Sequence, residues 1–353
     1  MPTPKRILVY HLASLGDILV ALPALRLIRR EFKGYEVTIL TPKHNNSAAV
    51  NVEQVLDGMD LVDSYIYLNL NHSKIKRYFD TFKHIRREEF RAVIYLNEGR
   101  GVRRILRDLI YFKLCGVKKI IGTGLSRNIR YPIVKKSGKS ESMREFLVRK
   151  IERVGSIDSN SFDAYGINAD SIVEYPWIKK KLDKEITGQD KSKIIGISIG
   201  TKLKVNDWGN DRWVELIRAI SSNYPEYLIV AIGGFDDRVK TDSIFKDTFA
   251  KYINFCGDIT ISESLFVLSK CQIFICHDSG PMHLAAAVGL KTVSIFSSRN
   301  LPGLWFPAGK RNKVFYTRIE CEGCEKTECI SLKKRCISSI SSNRVFKEVK
   351  KLM

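Results

Sequence analysis

Short apolar runs alternate with segments of helical periodicity along this chain, and that alternation constrains its fold more than any other feature. "RILVYHL" (6–12) reads as a strand, "ILVALPALRLIRREF" (18–32) as a helix and "YEVTILT" (35–41) as the next strand. Two strands joined through a helix pair in parallel, because only the crossover brings the chain back to the same end of the sheet. "FRAVIYLN" (90–97), "GVRRILRDLIYFKLCG" and "KKIIGTG" (118–124) continue the pattern. A second series runs "KIIGISIG", "NDRWVELIRAISSNY", "YLIVAIGG", "ESLFVLSKC", "QIFICHD", "PMHLAAAVG" and "KTVSIFS". The expectation is an α/β chain of two Rossmann-like, doubly wound parallel-sheet domains, since 353 residues exceed what one core holds. The first domain is expected over 1–175 and the second over 190–337, with a closing helix over 338–353. The break is placed in the stretch from about Gly166 to Lys193, which carries Pro176 and the lysine-rich "KKKLDKEITGQDKSK". Ligands of such sheets bind at the carboxyl ends of the strands, so the site is expected in a cleft between the domains.

Charge narrows the partners. Lys and Arg number 59 against 38 Asp and Glu, a net +21, which favours anionic partners: nucleic acid, an anionic membrane face or a phosphorylated substrate. From Lys74 to Lys119 there are 14 basic residues against 5 acidic, a net +9 in one stretch. No apolar run reaches the roughly 18 residues of a membrane span. The N-terminal "MPTPKRILVYHLASLGDILVALPAL" is interrupted by His11 and Asp17 and reads as strand and helix rather than signal peptide. Eight cysteines are compatible with a reducing cytosol.

Three strand–helix junctions concentrate chemistry. In "CHDSGPMHLAAAVG" (276–289), Ser279 or Gly280 can cap a helix, Pro281 suits its first position and Gly289 ends it. A helix opening there offers free N–H groups and about half a positive charge to a diphosphate. Asp278 could accept from a sugar hydroxyl and His283 could donate to phosphate; the alternative is a well-capped core helix. In "HLASLGDI", Gly16 permits close backbone approach, and Asp17 is either an N-cap or a general base. The junction lacks G-x-G-x-x-G, the dinucleotide fingerprint. In "SIGTKLKVNDWGNDRW", Lys202 and Lys204 follow the strand and Gly200-Thr201 and can clamp phosphate. In "AIGGFDD", Asp236 and Asp237 stand where a carboxylate often holds ribose, though the Gly-Gly pair also signals a plain turn. Cys321, Cys324, Cys329 and Cys336 form a dense cluster whose spacing leaves both structural zinc and reduced thiols open.

Taken together, "SLGDILVALPALRLI" (14–28), "CHDSGPMHLAAAVGLKTVSIF" (276–296), the cysteine cluster and the closing "SSNRVFKEVKKLM" resemble glycosyltransferase family 9, the heptosyltransferases of lipopolysaccharide core synthesis and their relatives. The resemblance runs the whole length. It implies the GT-B fold and inverting transfer of a sugar, usually heptose from ADP-heptose, without a metal or other cofactor, the nucleotide-sugar being a substrate. The sequence contains no D-x-D, in keeping with that. The resemblance also implies roles: Asp17 as catalytic base, Asp278, Ser279, Gly280 and His283 at the donor diphosphate and sugar, and Thr201 with Lys202 or Lys204 at its phosphates. Pro281 and Asp237 join the donor candidates by their places at strand ends, and Ser14, Gly16 and Arg100, the last at the end of the strand 90–97, are candidate acceptor contacts. The chain departs from the family at Asn206, which stands two residues before Trp208 where a lysine is expected. The partners implied are a nucleotide-sugar, an anionic glycolipid and the inner-membrane surface, with a cytoplasmic location. The rival readings are a nucleotide-sugar epimerase or hydrolase on the same fold, a transferase of another sugar, an inactive relative, and a nucleic-acid binder. The last lacks any zinc-finger, helix-turn-helix or aromatic-interleaved basic strand.

Overall fold

A computed structural model of the chain describes residues 5–43, 50–98, 101–125, 127–186, 190 and 192–353. The chain divides into two compact units, Met1–Tyr165 and Gly166–Met353. The lysine-rich stretch after Pro176, which reads as linker in the sequence, instead forms the helix Pro176–Glu185 of the second unit. Ile178 and Leu182 on one face of that helix are buried, and that apolar pair gives the segment a reason to dock.

The first unit is a five-stranded sheet of order β3-β2-β1-β4-β5, every pairing parallel. Its strands are β1 (Arg6–Tyr10), β2 (Glu36–Lys43), β3 (Ser64–Asn69), β4 (Ala92–Tyr95) and β5 (Lys119–Ile121). β3 and the helix Lys74–Arg87 that follows it were not evident in the sequence. β3 is an edge strand whose "SYIYLN" buries only alternate residues, so it shows no continuous apolar run. One face of the sheet packs Tyr10, Leu40, Val93 and Tyr95 against Ile85 and Phe112, which belong to the helices Lys74–Arg87 and Val102–Leu114. The other face carries the long helix Leu15–Glu31, almost wholly buried from Ile18 to Ile28.

The second unit is a six-stranded parallel sheet of order β11-β10-β9-β6-β7-β8. It comprises β6 (Ile194–Ser198), β7 (Leu228–Ala231), β8 (Tyr252–Asn254), β9 (Ile273–His277), β10 (Lys291–Ile295) and β11 (Asn312–Phe315). β6, β7, β9 and most of β10 are buried throughout, the pattern of strands covered on both faces. The closing helix Ser342–Leu352 is part of this core: Val345 and Val349 pack with Trp208, Trp213 and Ile217. In both units the strand order reverses beside the first strand, between β1 and β4 and between β6 and β9, and ligands of open parallel sheets bind at such points.

Candidate active site

In the second unit, strand register brings the predicted residues to one sheet end. Ser198 pairs with Cys276, and Ile295 with His277, so the segments after β6, β9 and β10 leave the sheet side by side. Gly200-Thr201, Asp278-Ser279 and Ser297-Ser298-Arg299 therefore form one rim. Ile197 pairs with Ala231, which adds the turn Gly233–Asp237 after β7.

Asp278 is the most perturbed group of that rim. The residue keeps some exposure, but its carboxyl sits deep, and burial pushes its pKa up to about 7 against the pull of the Arg299 guanidinium. Among the described residues no hydrogen bond reaches that carboxyl. The helix Gly280–Ala287 begins beside it, one residue earlier than the sequence suggests, with Pro281 second. Ser279 stands at the N-cap in extended conformation, yet its hydroxyl does not cap the helix and leans 3.4 Å from the His277 carbonyl. The N-terminus is thus left without a side-chain cap, as an anion site requires. The far end closes as the sequence predicts. Gly289 adopts φ +73°, its N–H reaches the Ala286 carbonyl at 3.0 Å, and the Leu290 N–H reaches Ala285 at 3.1 Å. His283 is buried in the first turn, its ring 6.2 Å from that of Trp305.

His277 and Asn206 are structural. His277 Nε2 accepts the Trp208 N–H at 3.1 Å, and its ring meets Trp213 edge-on at 5.1 Å. Burial pushes its pKa down to about 4, so it is neutral at physiological pH. Asn206 is buried, and its Oδ1 accepts from the Ser297 hydroxyl, tying the segment after β6 to the segment after β10. A lysine there would have to bring its charge into this buried contact, so the departure at Asn206 has a packing role.

The two lysines separate. Lys204 is ion-paired to Glu328 at 3.3 Å. Lys202 is exposed and has no ion pair among the described residues, which leaves its charge for an anion. Thr201 is half-buried, 3.4 Å from the Leu203 N–H. Asp237 accepts the Gly234 N–H at 2.8 Å, and burial raises its pKa against that bond and the charges of Lys240 and Lys202. Its carboxylate lies directly over Gly200, where any Cβ would collide with it. Gly200 is therefore required by a close approach rather than by backbone conformation.

In the first unit, the residues after β1 and β4 meet in the same way. Asn97 Oδ1 accepts the Leu12 N–H at 2.6 Å across the switch point. Asp17, in the first turn of Leu15–Glu31, accepts the Ser14 N–H through Oδ2 at 2.7 Å. Asp17 is thus a cap, and its remaining oxygen has no partner among the described residues. His11 is buried; its Nε2–H donates to the Asp17 carbonyl at 3.3 Å, and burial lowers its pKa. Gly16 lies in the same first turn, partly exposed. Arg100 lies outside the described residues.

Two features went unread in the sequence. Arg299 donates to the carbonyls of Lys326 and Glu325 at 3.0 and 3.1 Å while it sets the potential at Asp278. Only the polar "SSRN" that ends the run through β10 hinted at it. The cysteine segment is the other: Gly323 and Glu325 N–H groups bond Ser298 and Arg299 carbonyls, both at 2.8 Å, docking that loop on the rim. All eight cysteines are free thiols, with Cys336 buried in the core. Among the described residues no three His, Cys, Asp or Glu side chains come together as metal ligands.

A model of glycosyltransferase family 9 (heptosyltransferase) matches residues 114–335. Lipooligosaccharide heptosyltransferase 2 of Campylobacter jejuni is 24% identical over 347 residues, which cover 97% of this chain and 98% of that protein. The crystal structure of a family 9 glycosyl transferase from Veillonella parvula superposes with a TM-score of 0.72 at 18% identity, covering 99% of this chain and 97% of that one. The ADP-heptose lps heptosyltransferase II of E. coli gives 0.66 at 14% identity, over 99% and 98%. The fold is accordingly GT-B, with two Rossmann-like units.

Proposed function

The chain belongs to glycosyltransferase family 9, the heptosyltransferase family, and from that premise we propose that it transfers heptose from ADP-heptose to a lipopolysaccharide-core acceptor with inversion. The observation that carries the donor reading is the uncapped N-terminus of Gly280–Ala287 beside Asp278, whose carboxyl has no hydrogen-bond partner among the described residues, at the switch point of the second sheet. The donor diphosphate binds against that helix end, with Lys202 and Thr201 across the rim and His283 behind them. Asp237 and Asp278 take hydroxyls of the ribose and the sugar. The protein name of the Campylobacter relative and the ADP-heptose named for the E. coli structure support the choice of sugar and nucleotide.

In the proposed reaction the free oxygen of Asp17 takes the proton of the acceptor hydroxyl. The acceptor's oxygen, not the carboxylate's, then bonds to the anomeric carbon from the face opposite the diphosphate, the bond from that carbon to the phosphate oxygen breaks, and the nucleoside diphosphate leaves with the electron pair. The helix end and Lys202 stabilise the departing charge, the kind of contribution that usually dominates. This assignment gives the charge-stabilising work to protein groups, without a metal or other cofactor. Ser14 and Gly16 line the acceptor side near Asp17, and Arg100 is assigned to an anionic group of the acceptor. The enzyme works at the cytoplasmic face of the inner membrane; no helix among the described residues is long and apolar enough to cross it.

The test is a panel of nucleoside diphosphates and nucleotide-sugars scored by thermal shift and by transfer to a core acceptor. ADP-heptose is expected to stabilise the protein and to yield glycosylated acceptor. Donor turnover without acceptor would replace this reading by an epimerase or hydrolase, and a stronger response to another nucleotide-sugar would replace the donor.

A further inference from the structure

The helices Lys74–Arg87 and Val102–Leu114 lie side by side on one face of the first sheet. Tyr78 and Tyr111 meet edge-on at 5.0 Å, and Thr81 Oγ1 lies 2.6 Å from the Tyr111 hydroxyl. Each helix turns its buried residues, Ile85 in one and Ile105 and Phe112 in the other, to the sheet. Their exposed sides carry charged residues, among them Lys83 and Arg86 in one and Arg103 and Arg104 in the other, but also large apolar ones. Val102, Leu106, Ile110 and Leu114 follow one another at four-residue steps along the outer side of the second helix; Ile110 is 61% and Leu114 63% exposed. The first helix adds Ile75 at 85% and Phe79 at 57%. Val102, Leu106, Ile110 and Leu114 form a stripe along a helix about 20 Å long, and Ile75 and Phe79 add exposed apolar surface near the start of its neighbour. Exposed apolar surface organised in this way marks an interaction face.

Cations flank it. Lys83 lies 4.8 Å over the Phe79 ring and Arg86 6.0 Å over Phe82, each stem laid along apolar surface. Among the described residues no carboxylate pairs with Lys83, Arg86, Arg103 or Arg104. In sequence, the stretch 74–119 that contains both helices has a net charge of +9.

We propose that this two-helix face docks the protein on an anionic lipid bilayer, with the apolar stripe entering the headgroup boundary and the flanking Lys and Arg held at the surface. An amphipathic face of Leu, Ile and Phe bordered by Lys and Arg is what such a boundary binds. Charge selects the bilayer over a second copy of the chain, which would set these same unpaired cations against one another across the interface. The apolar stripe selects it over nucleic acid, which would meet the cations and leave the stripe in water. The inference rests on the peripheral-enzyme reading above for its purpose and names the surface that does the docking.

Sedimentation of the full chain with vesicles tests it. Wild type is expected to sediment with phosphatidylethanolamine–phosphatidylglycerol vesicles, weakly with phosphatidylcholine, and less as salt rises. Each cation near an anionic surface multiplies binding roughly fivefold, so the double variant Arg103→Glu, Arg104→Glu should lose well over tenfold. Ile110→Asp with Leu114→Asp should lose about tenfold or more while melting like wild type, because both side chains are exposed. Wild type that ignores anionic vesicles, or apolar variants that bind as wild type does, would overturn the proposal. So would a wild-type dimer that the Ile110→Asp, Leu114→Asp variant dissolves, or DNA binding that the variant abolishes. Transfer to a delipidated, water-soluble acceptor should be equal in wild type and this variant. If neither transfers while vesicle binding follows the pattern, the transferase reading fails and the docking face stands.

Discussion

At the scale of single residues, Asp278 makes the sharpest prediction. Its carboxyl ionises at about 7 in the folded protein against an ordinary 3.8. The folded state therefore holds a proton there that the unfolded chain has released, and this group's contribution to stability falls as pH rises from about 4 to about 7. Asp278→Asn should flatten that part of the melting-temperature profile, between about pH 4 and pH 7. Above pH 7 the ionised carboxylate would repel a diphosphate beside it, so donor affinity should weaken as pH rises in wild type and much less in Asp278→Asn. A parallel pH dependence in both proteins would remove Asp278 from the donor site. Asp17 makes a different prediction. Asn at this position keeps an oxygen for the Ser14 N–H, so Asp17→Asn should fold normally while transfer falls by about 10²–10⁴-fold, the usual contribution of a general base. Asp17→Ala should also destabilise by about 1 kcal/mol through the lost cap, read from urea unfolding. Both aspartates were legible as residues that end a strand and open a helix. That one oxygen of Asp17 has no partner among the described residues, and that Lys204 rather than Lys202 is taken up by Glu328, depends on what the fold brings beside each side chain.

At the scale of elements, the segment after β6 is held from three sides. His277 accepts the Trp208 N–H, Ser297 donates to Asn206, and Asp237 closes over Gly200. A methyl group at Gly200 must displace the Asp237 carboxylate, so Gly200→Ala should cost about 1–3 kcal/mol of unfolding free energy, as overpacking does. The clash has a single partner. Gly200→Ala with Asp237→Ala should therefore cost less than the two single changes added, and strict additivity would mean that the carboxylate yields freely. The helix Gly280–Ala287 was legible at both ends because Pro281 and Gly289 act through local backbone geometry. β3 was not, since its alternate burial at a sheet edge follows from which strand it pairs with.

At the scale of the whole chain, each unit carries its own chemistry and its own reporter. All four tryptophans, Trp177, Trp208, Trp213 and Trp305, belong to the second unit, which holds the proposed donor site. A melt followed by tryptophan fluorescence should shift upward with the donor nucleotide-sugar, by the equivalent of about 2.7 kcal/mol at 100 times its dissociation constant. Asp17→Asn should show the same shift as wild type, whereas Asp278→Ala should lose most of it. Loss of the shift in both would place donor contacts in the first unit as well. The charge is also unequally shared, with 30 Lys and Arg against 17 Asp and Glu in the first unit. That unit also carries the apolar stripe proposed to meet the bilayer.

The sequence by itself determined the two parallel sheets, the strand ends that carry the candidate site and the family, because apolar periodicity, caps and turn residues act through neighbours in the chain. Tertiary structure alone decided which polar groups are spent and which remain. Asn206 is consumed by Ser297, His277 by Trp208 and Lys204 by Glu328, whereas Asp278 has no hydrogen-bond partner among the described residues, with Arg299 brought near by the neighbouring strand. It also decided that Ile105 and Phe112 of Val102–Leu114 are buried while Leu106, Ile110 and Leu114 stay open, a distinction that helical periodicity cannot make.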